Sequence, residues 1–252
     1  MRIEGVLAVK VACVRIRHAF KWLGITFLAA VLALVLLLCM RPLFAEQINL
    51  AGYNAQTDAE HYLSLPFSGA NFRANSAIGY GAGRYYLRGK AAATVAAAYE
   101  KLLHRFPHVR YVYGEMGWNG GGRFWPHRTH RQGMSADFMT PVYTLDQAGN
   151  RMPAVLPTNV LNLWGYHIRL DEQGRVASYQ LDTAAMIAHL VALKEAGAVY
   201  GVRIRQVIFD PPLLKLLRAD PAFSALKGVS FMERQAWFPH DGHYHVDFES
   251  VR

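Results

Sequence analysis

Cysteine is almost absent from this chain. Of its 252 residues only Cys13 and Cys39 are cysteines, and both precede residue 46. Residues 46–252 therefore have no disulfide available and depend on an ordinary hydrophobic core, helped at most by a metal. Internal repeats and low-complexity tracts are also lacking, and the length suits one or two domains. The formal charge is +9 and the isoelectric point about 9.7, yet no Lys/Arg block follows the first two dozen residues. Arg2, Lys10, Arg15, Arg17 and Lys21 carry much of that excess. What remains is a mildly basic domain, which gives little support for a nucleic-acid partner.

Residues Trp22 to Met40, "WLGITFLAAVLALVLLLCM", contain no polar interruption beyond one threonine. The run is close to the roughly 20 residues a membrane helix needs and longer than the 7–15 usual for a signal-peptide core. A buried core helix would show a polar face. Cationic residues lie mainly before the run, which keeps the amino terminus cytoplasmic and exports the rest. Cleavage after Ala45 fits poorly because Leu43 stands where a small residue belongs, and "LLLC" at Cys39 is only a loose lipobox. The expected layout is a basic cytoplasmic N-region (1–21), a transmembrane anchor or signal segment (22–40), and an exported domain (46–252).

Within that domain, residues 46–89 are rich in Gly, Ala, Asn and Ser and predict irregular structure. "KAAATVAAAYEKLLHRF" predicts a helix from Lys90 to Phe106 stopped by Pro107, and "VRYVYGEM" a strand. "GYHIRLDEQGRVASYQL" predicts a hairpin turned at Glu172 to Gly174. A helix follows, capped by Asp182 and ending near Gly197. "VRIRQVIFD" predicts a strand, "PPLLKLLRAD" a short helix opened by proline, and "HYHVDF" a final strand. The expected class is α+β, a mostly antiparallel sheet with helices on its faces.

Histidine is what the chain concentrates. "WPHRTHRQGMSADF" holds His127 and His130 ahead of Asp137, and "HDGHYHVDF" holds His240, His243 and His245 within six residues. A lone histidine is usually a satisfied core residue, but clusters of this kind suit zinc, which takes imidazole nitrogen and carboxylate oxygen and in catalytic sites keeps one position open. Between His130 and Asp137 lie six residues including Gly133, enough for a turn that brings both onto neighbouring strands. His245 can add a third ligand from across the sheet. Side chains two apart on a strand share a face, so His243 reaches the same place and is free to act as a base or to stabilise charge.

"GEMGWNGGGRFWPHRTHRQGMSADF" together with "HDGHYHVDF" resembles the penicillin-insensitive murein endopeptidases, exported zinc peptidases of the group that includes lysostaphin-type and D-Ala-D-Ala peptidases. The likeness runs from about Gly114 to Phe248, with a weaker part back to "YYLRG", and is carried by two short blocks. It implies a zinc ion held by His130, Asp137 and His245, with His243 as the catalytic histidine and His127 and His240 supporting the site or touching substrate. Arg123 would either hold a substrate carboxylate or anchor the glycine loop Gly120 to Gly122, which is either a close approach to ligand or a plain surface turn. The implied reaction is hydrolysis of the D-alanyl-diaminopimelate crosslink of peptidoglycan, in the periplasm beside the inner membrane. Departures are the missing cysteines, Arg131 and Ser135 in place of other polar residues, and no matching pattern from Tyr143 to Asp210. Rival readings are a D,D-carboxypeptidase or dipeptidase on the same site, a non-catalytic zinc- or wall-binding module, which loss of His243 would have favoured, and a two-histidine phosphoesterase. The last needs a second HxT, which "HYH" does not supply.

Overall fold

The computed structural model describes residues 21–37 and 47–251. Residues 1–20 and 38–46 lie outside this range, so the basic N-region and the end of the expected anchor are not described. Residues 21–37 form a helix, α1, exposed along its length, and no helix among the described residues is long and apolar enough to cross a membrane.

The domain is mixed α+β, built on three sheets. A five-stranded sheet has the order β10 (Val202–Ile208), β11 (His243–Ser250), β5 (Ser135–Met139), β4 (Tyr111–Tyr113) and β2 (Phe72–Ala74). Its pairings are antiparallel except for β2 with β4, which is parallel, so the sheet is mixed. β1 (Tyr62–Ser64) and β3 (Tyr86–Arg88) pair antiparallel. β7 (Arg151–Ala154), β6 (Val142–Leu145), β9 (Tyr179–Leu181) and β8 (Arg175–Val176) form an antiparallel sheet of four. As the composition of residues 46–89 suggests, that region holds only short pieces, including α2 (Ala55–Asp58) and α3 (Ala77–Gly81).

The long helices form where good helix formers run on without Pro or Gly at the centre. α4 (Gly89–Arg105) stops one residue short of Phe106 and Pro107. α5 (Thr183–Val199) is capped by the Asp182 side chain, which accepts from the Ala185 N–H, and it runs through Gly197. α6 (Pro211–Ala219) opens on two prolines, whose missing N–H groups would have had no helical partner there. α4 and α5 meet the same face of the large sheet rather than one on each: Tyr99 of α4 stacks on His189 of α5, and His189 meets Phe138 of β5 and Tyr244 of β11 edge-on.

The hairpin expected at Glu172 to Gly174 lies further along. Asp171 to Gly174 is a turn, closed by Gly174 N–H donating to the Asp171 carbonyl, but it leads into β8 rather than joining two strands. The hairpin is β8 with β9, turned at Ala177, which takes a positive φ. Residues before it are not strand; Val160–Gly165 is a 3-10 segment with an asparagine capping box.

Alternation along β11 sorts its side chains. Tyr244, Val246 and Phe248 join the core with Ala136 and Phe138 of β5, and His243, His245 and Asp247 point the other way. The β5–β11 register places His245 opposite Asp137 and Asp247 opposite Ser135.

His189 has a testable consequence. It is wholly buried, accepts from or donates to the Tyr244 hydroxyl at Nδ1 over 2.6 Å, and burial pushes its pKa down to about 3. The unfolded chain takes up this proton near pH 6.5 and the folded chain does not, so folded-state stability is lost as pH falls from about 6.5 toward 3, by up to about 1.4 kcal/mol per pH unit. A His189→Gln variant keeps a polar partner for Tyr244 and should show a shallower acid slope, by one proton, in urea melts across that range. Parallel slopes would refute the assignment.

Candidate metal centre

His130, Asp137 and His245 meet on the face of the sheet opposite the long helices. Asp137 sits in the middle of β5 and His245 directly across from it on β11. His130 lies not on a neighbouring strand but in a short 3-10 turn, His130–Gln132, that leads into β5, and Gly133 reverses the chain there with φ of 66°. A side chain at Gly133 would press into the Tyr62 ring and the Arg88 backbone, so the turn needs glycine twice over. His130 Nε2 is 3.1 Å from His245 Nδ1 and 3.3 Å from Asp137 Oδ1, and His245 Nδ1 is 2.8 Å from that same oxygen. All three residues are buried.

Neighbouring groups fix which atoms face inward. His130 Nδ1–H donates to the Met116 carbonyl at 2.8 Å, which leaves the Nε2 lone pair toward Asp137. Asp247 accepts from His245 Nε2–H at 2.8 Å, from the Ser135 hydroxyl at 2.6 Å and from Arg205 at 2.5 Å. His245 therefore presents Nδ1. Burial would raise the Asp247 carboxyl, but the hydrogen bond with His245, with Ser135 and Arg205 adding to it, brings it down to about 2. Burial would likewise raise Asp137, yet His130, His245 and His127 hold it well below the usual carboxylate range. For His245, burial is outweighed by the hydrogen bonds with Asp137 and Asp247, and its pKa rises to about 9.

Three lone pairs thus point at one place. Two arrangements relieve their repulsion: a proton on His245 Nδ1, or a cation taken by all three. The donor set of two imidazole nitrogens and one carboxylate oxygen fits a divalent ion such as zinc, and a tetrahedral ion bound at about 2.0–2.2 Å spaces its ligand atoms roughly 3.3–3.6 Å apart. The residues present fit a metal. A second set shares two of these residues: His127, His130 and Asp137 each offer an atom within 4.8 Å of the others and could hold a metal ion. The set with His245 is tighter. His127 is turned outward by Glu115, which accepts from its Nε2–H at 2.9 Å, while its Nδ1 stands 3.7 Å from Asp137 Oδ2.

Glu115 and Tyr166 have no place in the sequence reading. Burial would raise the Glu115 carboxyl, but His127 and the forked guanidinium of Arg84 keep it ionised and low. Arg84 itself lies over the Phe124 and Trp118 rings. Tyr166 donates to Asp137 Oδ2 at 3.0 Å and accepts from the Glu115 N–H at 2.8 Å, so Asp137 keeps Oδ1 for the centre. Asp247 was legible in principle, two residues beyond His245 on the same face.

His243 lies beside the three donors, under Tyr166 with ring centroids 4.7 Å apart and next to His240 at 4.6 Å. Burial keeps its pKa well below the ordinary value, and the same cause lowers His240. His243 Nδ1 is buried without a hydrogen-bond partner; His240 Nδ1–H donates to the Phe238 carbonyl at 2.6 Å. These residues form the floor of a solvent-open groove of about 840 Å³. Arg123 is exposed and is not among the groove's lining residues; its carbonyl accepts from the Trp118 indole. Gly120 to Gly122 all take positive φ, and Gly121 closes on Tyr62 and the Arg131 carbonyl rather than on the groove.

No protein-family model matches the chain, and no curated protein matches it. What the site can do follows from its own geometry.

The tighter donor set makes a distinct prediction. Titrated with Co²⁺ or Zn²⁺ after chelation, the protein should take up one equivalent, and substituting alanine for His130, Asp137 or His245 should weaken binding on the order of 100-fold or more. Tyr166→Phe, which removes only an outer hydrogen bond, should cost about 10-fold, and His127→Ala no more than that. Full loss with His127→Ala and none with His245→Ala, read from the cobalt absorption bands, would instead identify the other set.

Proposed function

We propose that the protein is a zinc-dependent murein endopeptidase, hydrolysing the D-alanyl-diaminopimelate peptide crosslinks of peptidoglycan. The observation that carries this reading is the convergence of His130 Nε2, Asp137 Oδ1 and His245 Nδ1 within 3.3 Å of one another, with His243 beside them at the floor of an open groove. The resemblance of the "HRTHRQGMSAD" and "HDGHYHVDF" blocks to that family supplies the substrate.

A divalent ion held by the three donors would supply Lewis acidity toward a water molecule and a peptide carbonyl. The remaining steps belong to the chain. Burial keeps His243 neutral, so its ring can take a proton at one nitrogen as water attacks and return it to the departing amine. Tyr166 and Asp247 hold Asp137 and His245 in the orientation they need before substrate arrives. A groove of about 840 Å³ suits a ligand several residues long. No serine is acylated in such a scheme, so β-lactams, which acylate serine, should leave the reaction unaffected. The apolar run from Trp22 to Met40, with cationic residues before it, supports placing the domain outside the inner membrane as a periplasmic enzyme.

The test is digestion of purified crosslinked muropeptide dimers by the full chain in detergent. Monomers should appear, a chelator should stop the reaction and zinc should restore it. His243→Ala should keep its zinc and lose about 10²–10⁴ in kcat. Dimers that stay intact at full zinc occupancy would refute the proposal, and free D-alanine as the sole product would mark a D,D-carboxypeptidase instead.

A further inference from the structure

Four charged residues other than histidine line the groove: Arg84, Glu115, Arg128 and Arg234. Arg84 and Glu115 neutralise each other through a forked ion pair. Arg128 and Arg234 are both exposed, and neither has a carboxylate partner among the described residues. The groove therefore carries two uncompensated guanidinium groups above its imidazole floor.

The placement of Arg128 adds to this. It lies two residues before His130, and its guanidinium carbon sits 5.8 Å from the centre of the Trp237 ring, which belongs to the segment leading to β11. That contact joins the segment that carries His130 to the one that leads into His243, across the groove. Trp237 is 63% exposed, so its ring can hold the guanidinium plane without burying its N–H donors. A guanidinium held near a ring face in this way loses part of its rotamer freedom and keeps its fork for a planar anion such as carboxylate.

We propose that Arg128 and Arg234 form a carboxylate-binding subsite at the mouth of the groove, which selects peptides bearing a free carboxylate close to the bond presented to His243. The inference rests on the peptidase reading of the site. It assigns the role of carboxylate clamp to residues that line the groove, in place of Arg123, which does not. Trp237 is a positioning residue, since it acts by holding Arg128. Because both arginines are exposed, selection is electrostatic as well as geometric and weakens as salt rises.

The experiment separates binding from cleavage. Zinc-loaded His243→Ala protein is titrated with a crosslinked muropeptide dimer and with the same dimer after its free carboxyls are converted to carboxamides, while wild type is assayed for cleavage of both. The carboxylate form should bind at least about 10-fold tighter than the carboxamide form at low salt. Arg128→Gln with Arg234→Gln should abolish the difference by weakening only the carboxylate form, and lysine at both positions should restore part of it. Equal binding of the two forms, or a preference that survives the double glutamine variant, overturns the subsite whether or not wild type cleaves the dimer. A carboxylate preference lost in the double variant, without cleavage by wild type, leaves the subsite standing and removes the hydrolase reading. No binding of either form overturns both.

Discussion

The pairing register of β5 with β11 is the constraint on which the rest of the domain depends. Side chains on a strand alternate in direction, so a slip of β11 by one residue would carry His243, His245 and Asp247 into the core, away from Asp137, and bring Tyr244 and Val246 out of it. The observed register puts His245 across from Asp137 and Asp247 across from Ser135. The core holds it there from behind: Phe138 and Tyr244 pack against His189 between α4 and α5. Hydrophobic packing on one face thus sets the donor geometry on the other. Because both faces are covered, β11 is buried from His243 to Phe248.

Around the three donors a second layer fixes tautomers and charge. The Met116 carbonyl, Asp247 and Tyr166 each satisfy the outward side of a donor residue. A carboxylate buried among imidazoles would be unstable without such partners. The layer is ionic at its outer edge, where Arg205 holds Asp247 and Arg84 holds Glu115. Tyr166 reaches Asp137 from a segment in strained conformation: Leu163 and Trp164 both have positive φ although neither is glycine. Such residues persist only where surroundings hold them. Here the holding groups are the Asn159–Asn162 capping box and Asn75, whose side-chain N–H donates to the Trp164 carbonyl.

Much of this was legible in the sequence, and what was legible had a local cause. Helix formers, an Asp cap and paired prolines mark α4, α5 and α6 within a residue or two. The HxH spacing on a β-branched, aromatic run puts His243 and His245 on one face, and the structure brings His130, Asp137 and His127 to them. Less was readable where the cause is tertiary. Residues 165–181 look like a hairpin because hydrophobic and turn residues alternate, but the Asp171 side chain accepts from the Gln173 and Arg175 N–H groups and closes a local turn there, leaving only Arg175–Leu181 to pair. Glu115 sits in "GEMG" with no spacing to flag it, and only the fold brings Arg84 and His127 to its two oxygens. The parallel pairing of β2 with β4 is likewise beyond a local pattern, since each strand has three residues.

The distance along the chain between the donors bears on how the centre comes into being. Asp137 and His245 hydrogen-bond across 108 positions, whereas His130 and Asp137 are close neighbours. Closing so long a loop is entropically slow, and β11, which also pairs with β10, completes the donor set only when it meets β5. His130 and Asp137 approach through the local turn at Gly133, whereas the third donor needs the β5–β11 pairing. A chain interrupted between them holds no complete centre, so the three donors come together only in the finished sheet.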